Sequence, residues 1–158
     1  MLELLKNFVA EIGSGEKHVA QFGDSDYRLA SAALLIHVVG IDGSVSPIER
    51  EKLYAVLKSQ FDLDDEATAE LIDAATAADR DAVDLYRFTN LINRSLDEDG
   101  RKRMVEMMWE MVYADGQATE FEDNVIWRAA DLLGVPSRER IELRRKVAME
   151  TGKPRDDA

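Results

Sequence analysis

Apolar residues recur along this chain at steps of three and four, and no stretch alternates convincingly with period two. The first spacing lines up one face of a helix; the second would line up one face of a strand. Helices are therefore expected over 2–12, 26–41, 47–60, 65–77, 82–93, 96–114, 120–133 and 138–150. Two of them are apolar on most sides. Leu34, Leu35, Ile36, Val38 and Val39 fill one; Met104, Val105, Met107, Met108, Trp109, Met111 and Val112 fill the other. A helix without a polar face belongs at the centre of a bundle. The helices that follow each of these carry single stripes: Ile48, Leu53, Val56 and Leu57 in one, Phe121, Val125, Ile126, Ala129, Leu132 and Leu133 in the other. They are expected to pack outside the central pair.

The chain also repeats itself. Ile41-Asp-Gly-Ser-Val-Ser-Pro-Ile-Glu49 aligns with Ala114-Asp-Gly-Gln-Ala-Thr-Glu-Phe-Glu122, and Leu53 then falls on Ile126. After a one-residue gap, Leu63 falls on Val135 and Leu71 on Leu143; backwards, Ala32–Ile41 falls on Val105–Ala114. Such self-similarity is the mark of a repeated supersecondary unit. Here the unit is an apolar helix, an Asp-Gly turn, an amphipathic helix, a short turn and another helix. The fold predicted is all-α, about eight helices in a compact bundle of two pseudo-symmetric halves packed face to face. Residues 1–25 read as an N-terminal helix and loop, 26–150 as the helical domain, and 151–158 as a polar, frayed tail.

Composition narrows the function classes. The length suits one domain with a substantial core. At 46% hydrophobic residues, the chain is too apolar for an acidic disordered segment. With no Cys, a disulfide framework, a thiolate metal site and a Cys nucleophile are impossible. Twenty Lys and Arg against 32 Asp and Glu give a net charge of −12. That repels nucleic acid and anionic membrane, and leaves cations, basic partners or solubility alone. The N-terminus lacks the basic start and cleavage site of a signal peptide, and the most apolar run, 32–41, is about half the ~20 residues a membrane span needs. A cytoplasmic protein is expected.

The two Asp-Gly turns admit two readings. Ser46-Pro-Ile-Glu49 and Thr119-Glu-Phe-Glu122 are capping boxes, the first with Pro at the opening helical position. Gly43 and Gly116 can take the positive φ that ends the preceding helix. Other acids, Asp81 and Glu98, read as sitting near helix starts. Asp42 and Asp115 resist this explanation, because each sits near a helix's C-terminal end, where the dipole disfavours an anion. The second reading is a cation site. Asp-Gly-x-Val-x-x-x-Glu matches the second half of an EF-hand loop. The first half fails, because its ligand positions would be Val38 and Gly40 in one copy and Met111 and Tyr113 in the other. True EF-hands are thereby excluded. Two turns that approach each other could still pool Asp42, Glu49, Asp115 and Glu122 around a divalent cation, Ca²⁺ or Mg²⁺ rather than Zn²⁺ given oxygen ligands alone.

Three segments together resemble the tellurite-resistance protein B (TerB-like) family. They are Trp109-Glu-Met-Val-Tyr-Ala-Asp-Gly116 with Phe121–Gly134, Asp84–Leu96, and Asp42–Glu49. The resemblance covers about residues 28–147. It implies an all-helical bundle of two repeated halves, usually cytoplasmic, associated with tellurite and related stresses and without an established enzymatic activity. It also implies a suspected divalent-metal role for the Asp-Gly turns and their following Glu, here Asp42, Glu49, Asp115 and Glu122.

Other positions carry chemistry with a plainer alternative beside it. His37 aligns with Glu110, a pair that could bind metal or shuttle a proton; a buried His with one hydrogen-bond partner is the plainer expectation. His18 sits in the Gly-rich loop and is expected to be exposed. The cluster Met104, Met107, Met108 and Met111 suits either core packing or an adaptable partner groove. Arg87, Asn93 and Arg94 could pair with Asp84, Glu122 or Asp123 in a structural network. Arg138, Arg140, Arg144, Arg145 and Lys146 form the one basic patch, diluted by Glu139 and Glu142, and do not make a nucleic-acid surface. The chain holds no nucleophile motif, phosphate loop or zinc-type His spacing, so an enzyme is disfavoured. The expectation is a non-catalytic TerB-like module that binds a divalent cation through its two turns. The alternative is a protein-interaction scaffold whose turns are only caps. Either suits an unidentified protein partner, with homo-oligomers allowed.

Overall fold

The computed structural model describes residues 22–40, 45–114 and 119–151. Seven helices and no strands lie among them: α1 (Tyr27–Val39), α2 (Pro47–Gln60), α3 (Asp65–Asp81), α4 (Tyr86–Ser95), α5 (Glu98–Val112), α6 (Glu120–Leu132) and α7 (Ser137–Glu150). The expected helix over 2–12, His18 and the tail from 152 fall outside the described residues. No helix among the described residues is long and apolar enough to cross a membrane.

Short polar side chains start most of these helices. Asp26, Ser46, Asp64, Asp97 and Thr119 each accept a backbone N–H from the opening turn of the helix they cap. Both apolar helices stop earlier than their hydrophobic pattern suggests, at Gly40 and Tyr113, whose N–H groups close back on Ile36 and Trp109. By contrast α3 runs past 77 to Asp81, so Asp81 ends a helix rather than standing near the start of one.

At the centre, α1 packs on α2, α3, α4, α5 and α6. From Leu29 to Val39, every residue of α1 except His37 is buried. The second apolar helix, α5, packs on α2, α6 and α7 as well as on α1. Met104, Met107, Met108 and Met111 are all at most 1% exposed. They are core, and no partner groove opens over them.

The sequence register that aligns the turns also aligns the backbone. It carries the cap Gly40 onto Tyr113 and Ser46 onto Thr119. After the one-residue gap it carries Asp62 (φ 55°) onto Gly134 (φ 75°), the left-handed residues that follow α2 and α6. Helix pairing runs in the same order too, with α1 on α3 as α5 is on α7.

Candidate functional site

Glu49 and Glu122 are the two proposed ligands that the described residues include. Asp42 and Asp115, with Gly43 and Gly116, lie outside them. Both boxes are complete. The Ser46 N–H donates to Glu49 Oε1 at 3.0 Å and the Glu49 N–H donates to Ser46 Oγ at 3.1 Å. In the other half the Thr119 N–H donates to Glu122 Oε1 at 2.9 Å and the Glu122 N–H donates to Thr119 Oγ1 at 3.1 Å. The glutamates are only 5% and 2% exposed. Burying a carboxylate is costly unless it is compensated, and these two sit at the positive ends of α2 and α6, each with a cap amide.

The ends of the halves interleave. One surface cavity is shared by Ile48, Glu51 and Ala55 of α2 with Tyr113 and Ala114 at the exit of α5. Its counterpart is shared by Asn124, Val125 and Arg128 of α6 with His37 near the exit of α1. The chain entering the second turn therefore lies against the helix that leaves the first, and the reverse also holds. The positions that an EF-hand would need as ligands do not serve: Val38 and Met111 are fully buried.

His37 does not join Glu110. Its Nδ1 lies 2.9 Å from Asp79 Oδ1 on α3, and Glu110 pairs with Arg103 at 3.0 Å. The single-partner expectation describes it, although its side chain keeps about a third of its surface in solvent. Arg87 reaches Asp24 at 4.0 Å, Asn93 Nδ2 donates to the Leu132 carbonyl at 2.9 Å, and Arg94 is exposed. Asp84 accepts the Tyr86 N–H instead, and Asp123 pairs with Arg144.

Much of the basic run on α7 is structural. Arg140 Nε donates to the Val135 carbonyl and Nη1 to the Trp127 carbonyl, both at 3.1 Å, and the guanidinium lies 4.4 Å from the Trp127 ring centre. Arg144 Nε donates to the Tyr113 hydroxyl at 2.9 Å, pairs with Asp123 at 3.3 Å and lies 4.8 Å from the Trp109 ring centre. Lys146 pairs with Glu106 at 2.9 Å.

One acidic cluster was not foreseen. Glu106, Glu110 and Glu150 bring carboxylate oxygens within 4.8 Å of one another. Arg103 bridges the first two, and Lys146 holds Glu106 from the other side, so bases already serve Glu106 and Glu110. The i,i+4 spacing of Glu106 and Glu110 in the apolar second half of α5, with Arg103 a turn before Glu106, was the available signal. Burial pushes the Glu106 carboxyl up, but hydrogen bonds from Lys146 and Arg103 and their charges outweigh it and hold it below the usual 4.5. A carboxyl depressed in the folded state stabilises the fold above its unfolded value and loses that contribution as pH falls through the folded one. Glu106→Gln is therefore expected to melt below wild type at pH 7. The gap should close as both are acidified below about 4.5, which melting curves across pH will show.

An all-helical module with two buried capping glutamates at equivalent helix starts is the class these features define. The family model for Tellurite resistance protein TerB matches residues 28–145, most of the chain. The chain belongs to the TerB family. Comparison with curated proteins and with solved structures gives no match.

Proposed function

We propose that this TerB module is a non-catalytic, cytoplasmic divalent-cation binder that works in a stress-response setting, tellurite stress included. Asp42, Glu49, Asp115 and Glu122 are the proposed ligands. The observation that carries this is the pair of buried glutamates at equivalent positions beside interleaved helix ends. The donor set fits the ion: it is all carboxylate, which suits Ca²⁺ or Mg²⁺ better than Zn²⁺. The cap bonds engage Oε1 of each glutamate. When bound, the cation would offset half of the charge of the four acids and tie the two turns together. The completeness of both capping boxes favours the competing reading, a protein-interaction scaffold whose turns are only caps.

Melting separates the two. At a hundredfold excess over Kd, a bound cation adds about 2.7 kcal/mol, a rise in Tm of roughly 5–10 °C for a chain of this size. Ca²⁺ or Mg²⁺ is expected to raise the Tm over an EDTA control, and Asp42→Ala/Asp115→Ala is expected to abolish the rise. No shift with Ca²⁺, Mg²⁺ or Zn²⁺ would leave the caps-only reading standing.

A further inference from the structure

The two halves fill their outer grooves differently. In the second half, Arg140 and Arg144 reach from α7 onto α6 and the end of α5, where they cover Trp127 and Trp109 and pair with Asp131 and Asp123. The register marked by Asp62 and Gly134 puts Thr68 where Arg140 stands and Ile72 where Arg144 stands. Thr68 spends its hydroxyl on the Asp64 carbonyl at 2.7 Å, and Ile72 has no polar head. Neither can reach across to α2 as the arginines reach across to α6.

The result is an open groove of about 700 Å³ between α2 and α3. Tyr54, Ala69 and Ile72 give it an apolar floor; Glu51 and Asp73 bring acids to its walls, with Arg50 on the α2 side. Tyr54 takes the register position of Trp127, the ring that Arg140 covers in the other half. Its hydroxyl donates to Asp65 Oδ1 at 2.8 Å, which holds the ring in place. Of the charged side chains that line the groove, Glu51 and Asp73 are acids and Arg50 is the one base.

We propose that the α2–α3 groove docks a basic segment of a partner protein, with an arginine that stacks on Tyr54 and pairs with Glu51 or Asp73. The second half of the same molecule shows the occupant that such a groove takes: a guanidinium on an aromatic ring with its charge met by an acid. Charge complementarity points the same way, because Glu51 and Asp73 outnumber Arg50 in the groove on a chain of net charge −12. The inference is independent of the cation reading, since no groove residue is a proposed ligand.

The test uses the full chain and a labelled synthetic peptide with the sequence of α7, Ser137–Glu150, whose four arginines include Arg140 and Arg144 at i,i+4 spacing. Fluorescence anisotropy should show saturable binding that weakens as salt rises. Replacing both of the peptide's Arg140 and Arg144 equivalents by Gln should weaken it about tenfold or more, as loss of a buried arginine anchor does. Two protein variants should do the same: Ile72→Arg, which supplies the missing guanidinium from within, and Glu51→Gln/Asp73→Asn, which changes only exposed side chains and keeps the fold. Absence of saturable binding would overturn the proposal. So would equal binding of the Gln peptide, which would mean an apolar occupant, or binding indifferent to both protein variants. A wild-type dimer that Ile72→Arg dissociates would show that a second copy covers the groove, and would overturn it too.

Discussion

Leu35→Ala is expected to destabilise the protein by about 3–5 kcal/mol, which is a large part of the stability of a domain this size. Leu35 is fully buried in α1, the helix against which α2, α3, α4, α5 and α6 all pack. Removing its isobutyl group loses the transfer free energy of the buried carbons. It also leaves a cavity in a close-packed core that relaxes only in part to fill it. Ile48→Ala is the control, because Ile48 lies in α2 and is 53% exposed. Its cost should stay within about 0.5 kcal/mol. Urea unfolding monitored by far-UV circular dichroism measures both, with an unchanged slope as the sign that only stability has moved. A Leu35→Ala cost near that of Ile48→Ala would mean that α1 is not the hub of the bundle.

This contrast follows the limits of what the chain made legible. The two central helices could be read because burial on every side removes polar residues from every side, and that pattern needs no knowledge of neighbours. Their ends could not. Gly40, Ile41, Tyr113 and Ala114 continue the apolar run, yet the helices end at Val39 and Val112, with the last i→i−4 bonds given by the caps Gly40 and Tyr113. Ser46 and Thr119 were legible as caps because the capping box is local, contained in the four residues from N-cap to N3. Asp42 and Asp115 lie outside the described residues, so the same reasoning reaches the edge of the proposed site and half of its ligands. His37 shows the opposite failure. Its alignment with Glu110 suggested a pair, but equivalence under a repeat does not mean contact. The partner instead came from α3, forty-two residues further along, at Asp79.

Arg140→Ala is expected to cost about 3 kcal/mol, and Arg138→Ala, two residues away in the same basic run, almost nothing. In sequence the two arginines look alike. On α7, Arg140 faces inward and is 7% exposed, whereas Arg138 is exposed. Truncating Arg140 takes the donor away from the Val135 and Trp127 carbonyls, at about 1–3 kcal/mol for each acceptor left buried and unpaired. It also removes a guanidinium from the Trp127 face, about 0.5–2 kcal/mol, together with the packing of its aliphatic stem. These losses overlap, since one side chain makes all of them, so the sum is an upper bound. The Asp131 contact adds little, because that carboxylate is 80% exposed. Arg140→Lys should recover little of the loss, since an ammonium cannot serve two carbonyls and lie flat on the indole together. Denaturation of the three variants decides the point. If Arg138→Ala costs as much as Arg140→Ala, the basic run acts through general charge. If it does not, the run is a structural strut, and the arginine-filled groove between α6 and α7 is a sound template for the open one between α2 and α3.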